Sequence, residues 1–311
     1  MKRLLYKTLV FITLFVALDY GIGLLFTALE NKVIDYPINY GNAYLKAVHN
    51  LNEDVVIIGE SRAHGNFIPS VLEDSLNLSV INAASNGSYM SQQAAVIRML
   101  LNRYVPQLVI WEVNPTSLME KFQSDELDAA LDLTPFYKTD SLSRCLIQQR
   151  SKYECIKMQS NAYRNNNKLV GLMLIIASGH HDDNLKGYNP LSTSGYIFPT
   201  KREQVFDDAF SKDRYDLLQR TLEFTKQKGC RMILVSSPQY EKTNLNSTKQ
   251  AKMFGSLMDS LNVPYLDYRC DERFQSDSTY FKDCSHLNEK GAKAFMQIVI
   301  PEINPIVQNS K

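Results

Sequence analysis

Four short groups of residues in this chain carry side chains suited to nucleophilic catalysis, and three of them sit at the ends of apolar runs. Val55–Ile58 (VVII) leads into Gly59-Glu60-Ser61-Arg62, and Ser79–Ala83 (SVINA) leads into a loop running from Asn82 to Gly87. Leu108–Val113 (LVIWEV) ends in Glu112-Val113-Asn114-Pro115. Far along the chain stands Asp283-Cys284-Ser285-His286-Leu287-Asn288. A serine hydroxyl is a weak nucleophile until a base takes its proton, and His286 is the candidate base for Ser61. Asp283, three residues before His286, can hold the imidazole tautomer and stabilise the imidazolium. Taken singly, each group has an ordinary use. Ser61 and Asp283 could cap the helices that follow them, and a lone Gly or Asn in a turn serves backbone geometry.

The elements that must position these residues are legible from hydrophobic patterning. Short continuous apolar runs are how strands covered on both faces of a parallel sheet read. Met232–Val235 (MILV) and Pro264–Leu266 repeat the form. Helical stretches fall between them at Pro69–Leu76, Ser91–Arg103, Arg202–Lys228 and Gln250–Leu261. Asn288–Ile300 reads as a closing helix with Pro301 as its stop. Strands alternating with helices predict an α/β layered domain with a mostly parallel sheet. Residues 116 to about 200 break this rhythm. They are polar and Tyr- and Asn-bearing, and read as a helical insertion rising from the strand ends, where open sheets bind ligands.

The four groups, in this order and placement, resemble the four blocks of the GDSL/SGNH hydrolase family. Gly59-Glu60-Ser61 matches the first block, with Glu60 where the family usually has Asp. Asn82 and Gly87 match the second. Asn114 matches the third, flanked by Glu112 and Pro115, with Pro115 in place of the usual Asp. Asp283 and His286 match the last, and Leu287-Asn288 with Gly291 continue the likeness. The resemblance covers about 55 to 300, leaving 116–200 unmatched. It implies a three-layer αβα, flavodoxin-like fold and a triad of Ser61, Asp283 and His286. It also implies an oxyanion hole made by the Ser61 N–H, the Gly87 N–H and the Asn114 side chain. Losing one such donor typically costs ~2.7–4 kcal/mol of barrier.

Other candidates are secondary. Arg62 is read as a surface ion-pair residue or a contact for an anionic substrate. Tyr196 and Tyr240 lie in aromatic and small-residue segments of the kind that line pockets. His64 reads as a loop residue. His180-His181-Asp182-Asp183 has metal-like composition without a second cluster at matching spacing, so no metal and no cofactor is expected. Cys145 and Cys155, and Cys270 and Cys284, are candidate disulfide pairs, with Cys230 as a buried thiol.

The N-terminus points to a membrane. Lys2, Arg3 and Lys7 precede Thr8–Leu29, which carries one charge, Asp19. Such a run, as a helix at ~1.5 Å per residue, spans ~33 Å against a hydrocarbon core of ~30 Å. The basic flank places the rest of the chain outside the cytoplasm. No A-x-A-like site follows the run, which favours an uncleaved anchor over a signal peptide. Asp19 is costly in lipid unless it lies near an interface or meets a partner helix, so a neighbouring membrane protein is a candidate partner.

The expected organisation is an anchor over 1–29, a connector over 30–53 and a hydrolase-like domain over 54–311. With 34 Lys+Arg against 33 Asp+Glu, no positive excess exists for nucleic acid. The expectation is a serine esterase or O-acyltransferase acting on acylated envelope glycans. A catalytically silent envelope scaffold and a secreted lipase-like esterase are the alternatives.

Overall fold

The computed structural model describes residues 1–38, 41–120, 123–166, 168–178, 185–193, 195–198, 209–240 and 248–308. In chain order the elements are α1 (Lys2–Ile34), α2 (Ala43–His49), β1 (Val55–Ile58), α3 (Ser61–Asn66), α4 (Pro69–Leu76), β2 (Val80–Asn82), α5 (Met90–Arg103) and β3 (Leu108–Glu112). There follow α6 (Gln123–Ala129), α7 (Ser141–Gln148), α8 (Glu154–Lys157), α9 (Asn161–Asn165) and α10 (Leu169–Ser178). The chain closes with α11 (Lys212–Gln227), β4 (Arg231–Ser236), α12 (Lys249–Leu261), β5 (Tyr265–Asp267), α13 (Glu272–Gln275) and α14 (Glu289–Gln308). Two compact units result. One gathers Met1–Tyr36 with Ala130–His181, and the other Pro37–Ala129 with Asp182–Lys311. Residues 130–178 therefore group with the N-terminal helix, and the polar stretch 37–53 with the sheet.

The sheet unit is α/β. Its five strands are all parallel in the order β2-β1-β3-β4-β5. Strands β1 to β3 are buried along their whole length, as continuous apolar runs require when helices cover both faces. One face carries Val55, Ile57, Leu108, Ile110, Ile233 and Val235, packed with Phe67 just after α3, Leu72 of α4, and Phe295 and Val299 of α14. On the opposite face α5 packs against α11 and α2, and α11 against β4. Trp111 alternates to this second face, where its Nε1–H donates to Gln93 Oε1 of α5 at 2.8 Å. The expected start of α11 at Arg202 lies outside the described residues.

Pro301 does not stop the last helix. It lies inside α14, as does Pro305. A proline in a helix interior removes one donor and crowds the preceding turn, at ~3 kcal/mol or more. Burial outweighs that cost: Met296, Val299 and Ile303 are fully buried, and the helix must run past Pro301 to seat Ile303. The far end is closed by Arg231, whose Nη1 donates to the carbonyls of Ile306 (3.3 Å) and Val307 (2.8 Å).

In the other unit, α1 has 33 residues, with a window of mean hydropathy 2.2 of which 6% is buried. It is long and apolar enough to cross a bilayer. Asp19 does not lack a partner. Its carboxylate accepts from Ser160 Oγ (2.6 Å), the Asn161 N–H (2.9 Å), Asn161 Nδ2 (3.1 Å) and the Ala162 N–H (2.9 Å), at the start of α9. The chain itself thus supplies the partner that a neighbouring membrane protein was invoked to provide.

Because Pro301 is exposed, Pro301→Ala removes strain without losing packing. Chemical denaturation of the variant is expected to show a stability gain of up to about 3 kcal/mol. A loss would show that the proline is built into α14 in a way the burial argument misses.

Candidate active site

Strand order places the site. The chain leaves β1 to one side for β2 and to the other for β3, and such a switch point opens a crevice at the strands' C-terminal ends. Ser61 follows β1 and Asn114 follows β3, so both stand at that crevice. Between Ile58 and α3 the backbone is tight. A Cβ on Gly59 would meet the Ala63 Cβ at 2.6 Å and the Glu112 Cβ at 2.9 Å. Ser61 is the first residue of α3, where a backbone N–H has no partner within the helix and is available to a ligand.

The loop after β2 is tied to the same turn. The Ser85 N–H and the Ser88 hydroxyl both donate to the Gly59 carbonyl, each at 3.1 Å. Between them Gly87 has φ +71°, a left-handed conformation that glycine adopts without a Cβ penalty. Asn82 works differently from what its place in the motif suggests. Its Nδ2 donates to the carbonyls of Ala63 (2.8 Å) and Phe67 (3.1 Å), and its Oδ1 accepts from the Ala84 N–H. It bolts α3, and with it Ser61, to the end of β2. Asn114 is buried, and its Oδ1 accepts from the Thr116 N–H at 3.0 Å. That bond orients the amide and leaves its NH2 as the donor end.

His286 arrives from the other end of the chain on a pinned loop. Phe281 and Leu287 form an antiparallel bridge, and the Lys282 N–H donates to the His286 carbonyl at 2.9 Å. Asn288 Nδ2 reaches the carbonyls of Thr279 and Phe281. His286 Nε2 lies 2.8 Å from Ser61 Oγ. Its Nδ1 lies 2.9 Å from both oxygens of Asp283, whose Oδ1 also accepts the N–H groups of Ser285 (2.8 Å) and His286 (3.0 Å). An ionised carboxylate can only accept, so Nδ1 carries the proton and Nε2 is left to accept from the serine hydroxyl. Burial pushes the Asp283 carboxyl up. The N–H bonds and the imidazole beside it outweigh that and hold it below the usual carboxylate range. The three side chains form a Ser–His–Asp relay of the kind that activates serine for attack on a carbonyl.

No family model matches the chain, and no curated protein matches it. Among solved structures it is similar to a GDSL-like lipase from Bacteroides thetaiotaomicron, at TM-score 0.38 and 11% identity over 85% of this chain and 100% of that one. It is similar to an acetyl xylan esterase at TM-score 0.38 and 10% identity, over 80% and 99%. It is also similar to a family two carbohydrate esterase from Clostridium thermocellum at TM-score 0.38 and 10% identity, over 83% and 65%. At such scores the chemistry rests on the site's own distances.

The structure corrects two groups of expectations. Arg62 is not a solvent-exposed surface ion pair, although it lines the cleft beside Ser61. It is half-buried and ion-paired, its Nε donating to Glu112 Oε1 at 3.0 Å and its Nη2 meeting Glu60 Oε1. Burial pushes the Glu112 carboxyl up against the pull of Arg62. The signal for this pairing was a glutamate inside an otherwise apolar strand run, because a buried carboxylate needs a partner. The second correction concerns the cysteines. No disulfide joins Cys145 to Cys155 or Cys270 to Cys284. Cys145 is contacted by Gln149 at the end of α7, Cys155 donates to the Lys152 carbonyl, and Cys284 is buried against the Tyr196 hydroxyl. In neither pair do the two sulfurs meet as a bridge requires.

Tyr196 and Tyr240 sit beside the His286 loop. Tyr196 stacks edge-on with Phe198, Phe198 with Tyr240, and Tyr240 against Phe281, with centroids 4.9–5.5 Å apart. The Tyr240 N–H donates to the Cys284 carbonyl at 2.9 Å. His64 is helical and buried, with Nδ1 3.1 Å from Asn86 Oδ1, and burial lowers its pKa. His180-His181-Asp182-Asp183 lies outside the described residues, and among the described residues no His/Cys/Asp/Glu group is arranged to hold a metal.

Two outcomes follow. Arg62→Ala strands the buried Glu112 carboxylate, and is expected to cost about 3–5 kcal/mol in denaturation, whereas R62L/E112L together recover most of it. Asp283 has a lowered folded pKa, so its stabilisation is complete above the unfolded value and lost as pH falls through the folded one. Asp283→Asn is therefore expected to be less stable than the parent at pH 7, with the gap closing in acid. A gap that stays constant down to pH 2 would contradict the assignment.

Proposed function

We propose that this chain is an SGNH-type serine ester hydrolase or O-acyltransferase, anchored by α1 with its sheet unit outside the cytoplasm. The observation that carries the reading is the 2.8 Å approach of Ser61 Oγ to His286 Nε2, with Asp283 holding the other ring nitrogen. In this reading Ser61 Oγ attacks the acyl carbonyl as His286 Nε2 takes its proton. The developing oxyanion meets the Ser61 N–H, the Gly87 N–H and Asn114 Nδ2. Collapse expels the alcohol, which takes the proton from His286, and leaves an acyl-serine. Water or a sugar hydroxyl then attacks that ester, with His286 again as base and then acid.

The cleft beside the nucleophile supports a small acyl group. It has a volume of about 180 Å³ and is lined by Glu60, Arg62, Tyr89, Gln93, Asn114 and Ser117 among others. The polar groups of Glu60, Gln93, Asn114 and Ser117 in that lining suit a hydroxyl-rich ligand. An anchored domain facing outward meets polymers in preference to soluble metabolites, so acetylated envelope glycans are the proposed substrates.

Ser61→Ala is expected to lower ester turnover by on the order of 10³-fold or more while leaving the fold intact. The parent and variant, incubated with acetylated and deacetylated envelope polysaccharide, are followed by NMR. Free acetate marks an esterase, and acetyl gained by the acceptor marks a transferase. Full turnover in the variant would remove Ser61 as the nucleophile. Neither product, from a parent that turns over a short-chain ester, would remove the glycan as substrate.

A further inference from the structure

The unit containing α1 presents an apolar surface that its own packing does not use. α10 (LVGLMLIIAS) carries no charged residue. Its inner side, Leu172, Ile175 and Ile176, packs on Ile22, Phe26, Leu29 and Val33 of α1. Val170, Met173 and Leu174 point the other way, 67%, 57% and 64% exposed. With Ala177, also exposed, they follow the spacing of a single helix side. Leu24 and Leu25, in the stretch of α1 that α10 covers, are more than half exposed as well. The two helices thus share one apolar exterior, larger than the scattered apolar residues of an ordinary surface.

Its position along α1 is set by a polar clasp. Asp19 accepts four hydrogen bonds from Ser160, Asn161 and Ala162. One turn along the same face Gly23 allows close contact, since a Cβ there would lie 2.7 Å from Asn161 Cγ. α9 and α10 are therefore held against residues 19–33, which overlap the C-terminal half of the apolar run 8–29. A bilayer that takes in that run takes in α10 as well.

We infer that α10 is a second lipid-contacting element, with Val170, Met173 and Leu174 among the acyl chains of the leaflet that the C-terminal half of α1 crosses. Asp19 is the clasp that carries it there. Lipid is the occupant because the stripe continues the exposed apolar surface of α1 and is built of large aliphatic side chains, whereas helix–helix contacts in membranes favour small ones. This rests on α1 being a membrane span.

The full chain is reconstituted in phosphatidylcholine vesicles containing lipids brominated on their acyl chains, which quench nearby tryptophan. The native Trp111 is buried in the sheet unit and provides the background. Leu174→Trp and Leu14→Trp are each expected to add emission that brominated lipid cuts at least twofold. Adding Asp19→Ala is expected to abolish the quenching at 174 and leave that at 14. Quenching at 14 but not at 174 overturns the inference and leaves the anchor standing; if that unquenched emission at 174 is also blue-shifted, a second copy of the chain covers the stripe instead. Quenching at neither position overturns the anchor itself. Undiminished quenching at 174 in the Asp19→Ala background overturns the role of the clasp.

Discussion

One hydrogen bond, between the Ser61 hydroxyl and His286 Nε2, closes a separation of 225 residues, and the sheet unit is organised around keeping it short. A single bond of this kind contributes only about 1 kcal/mol net, far too little to order the segments that meet there. Its geometry is imposed from outside. Gly59 lets β1 turn directly into α3, Asn82 bolts that helix to β2, and Asn288 pins the loop carrying His286. The aromatic series from Tyr196 to Phe281 packs beside that loop. Loosening any of these would leave Ser61, His286 and Asp283 present but out of register, and a reactive geometry tolerates little error.

The ion pair beside Ser61 serves the same end at an energetic cost. Glu112 is wholly buried, and taking a carboxylate and a guanidinium out of water is expensive even when they pair. A pair of aliphatic side chains would fill the space more cheaply. What the pair supplies is direction: Arg62 follows Ser61 in the chain, and its bonds to Glu112 and Glu60 fix how the first turn of α3 sits over β3. Glu60, one of the two departures from the GDSL/SGNH pattern that the chain resembles, is a partner of that arginine, as is Glu112 beside the third block.

The N-terminal unit solves a different electrostatic problem. A carboxylate halfway along an apolar helix is unfavourable in hydrocarbon, and four donors at the start of α9 remove the penalty by replacing water. The same contact brings an apolar helix alongside α1. Polar satisfaction and apolar covering are thus two consequences of one short-range docking event.

The amino-acid sequence by itself determined the strands, because a doubly covered parallel strand has to be a continuous apolar run, and Val55–Ile58 and Leu108–Glu112 are such runs. It also determined which four blocks could converge, because each carries its side-chain chemistry in a few adjacent residues. Only the tertiary structure decided the rest. That Arg62 turns inward depends on Glu112, fifty residues away in sequence, and that α14 continues past Pro301 depends on the core into which Ile303 must fit. Asp19 found its partner 141 residues onward, and Cys284 meets the Tyr196 hydroxyl, 88 residues away in sequence, instead of Cys270. In each case a local signal of charge, proline or thiol was read correctly as a residue type. Its outcome was set by long-range partners, which no local pattern encodes.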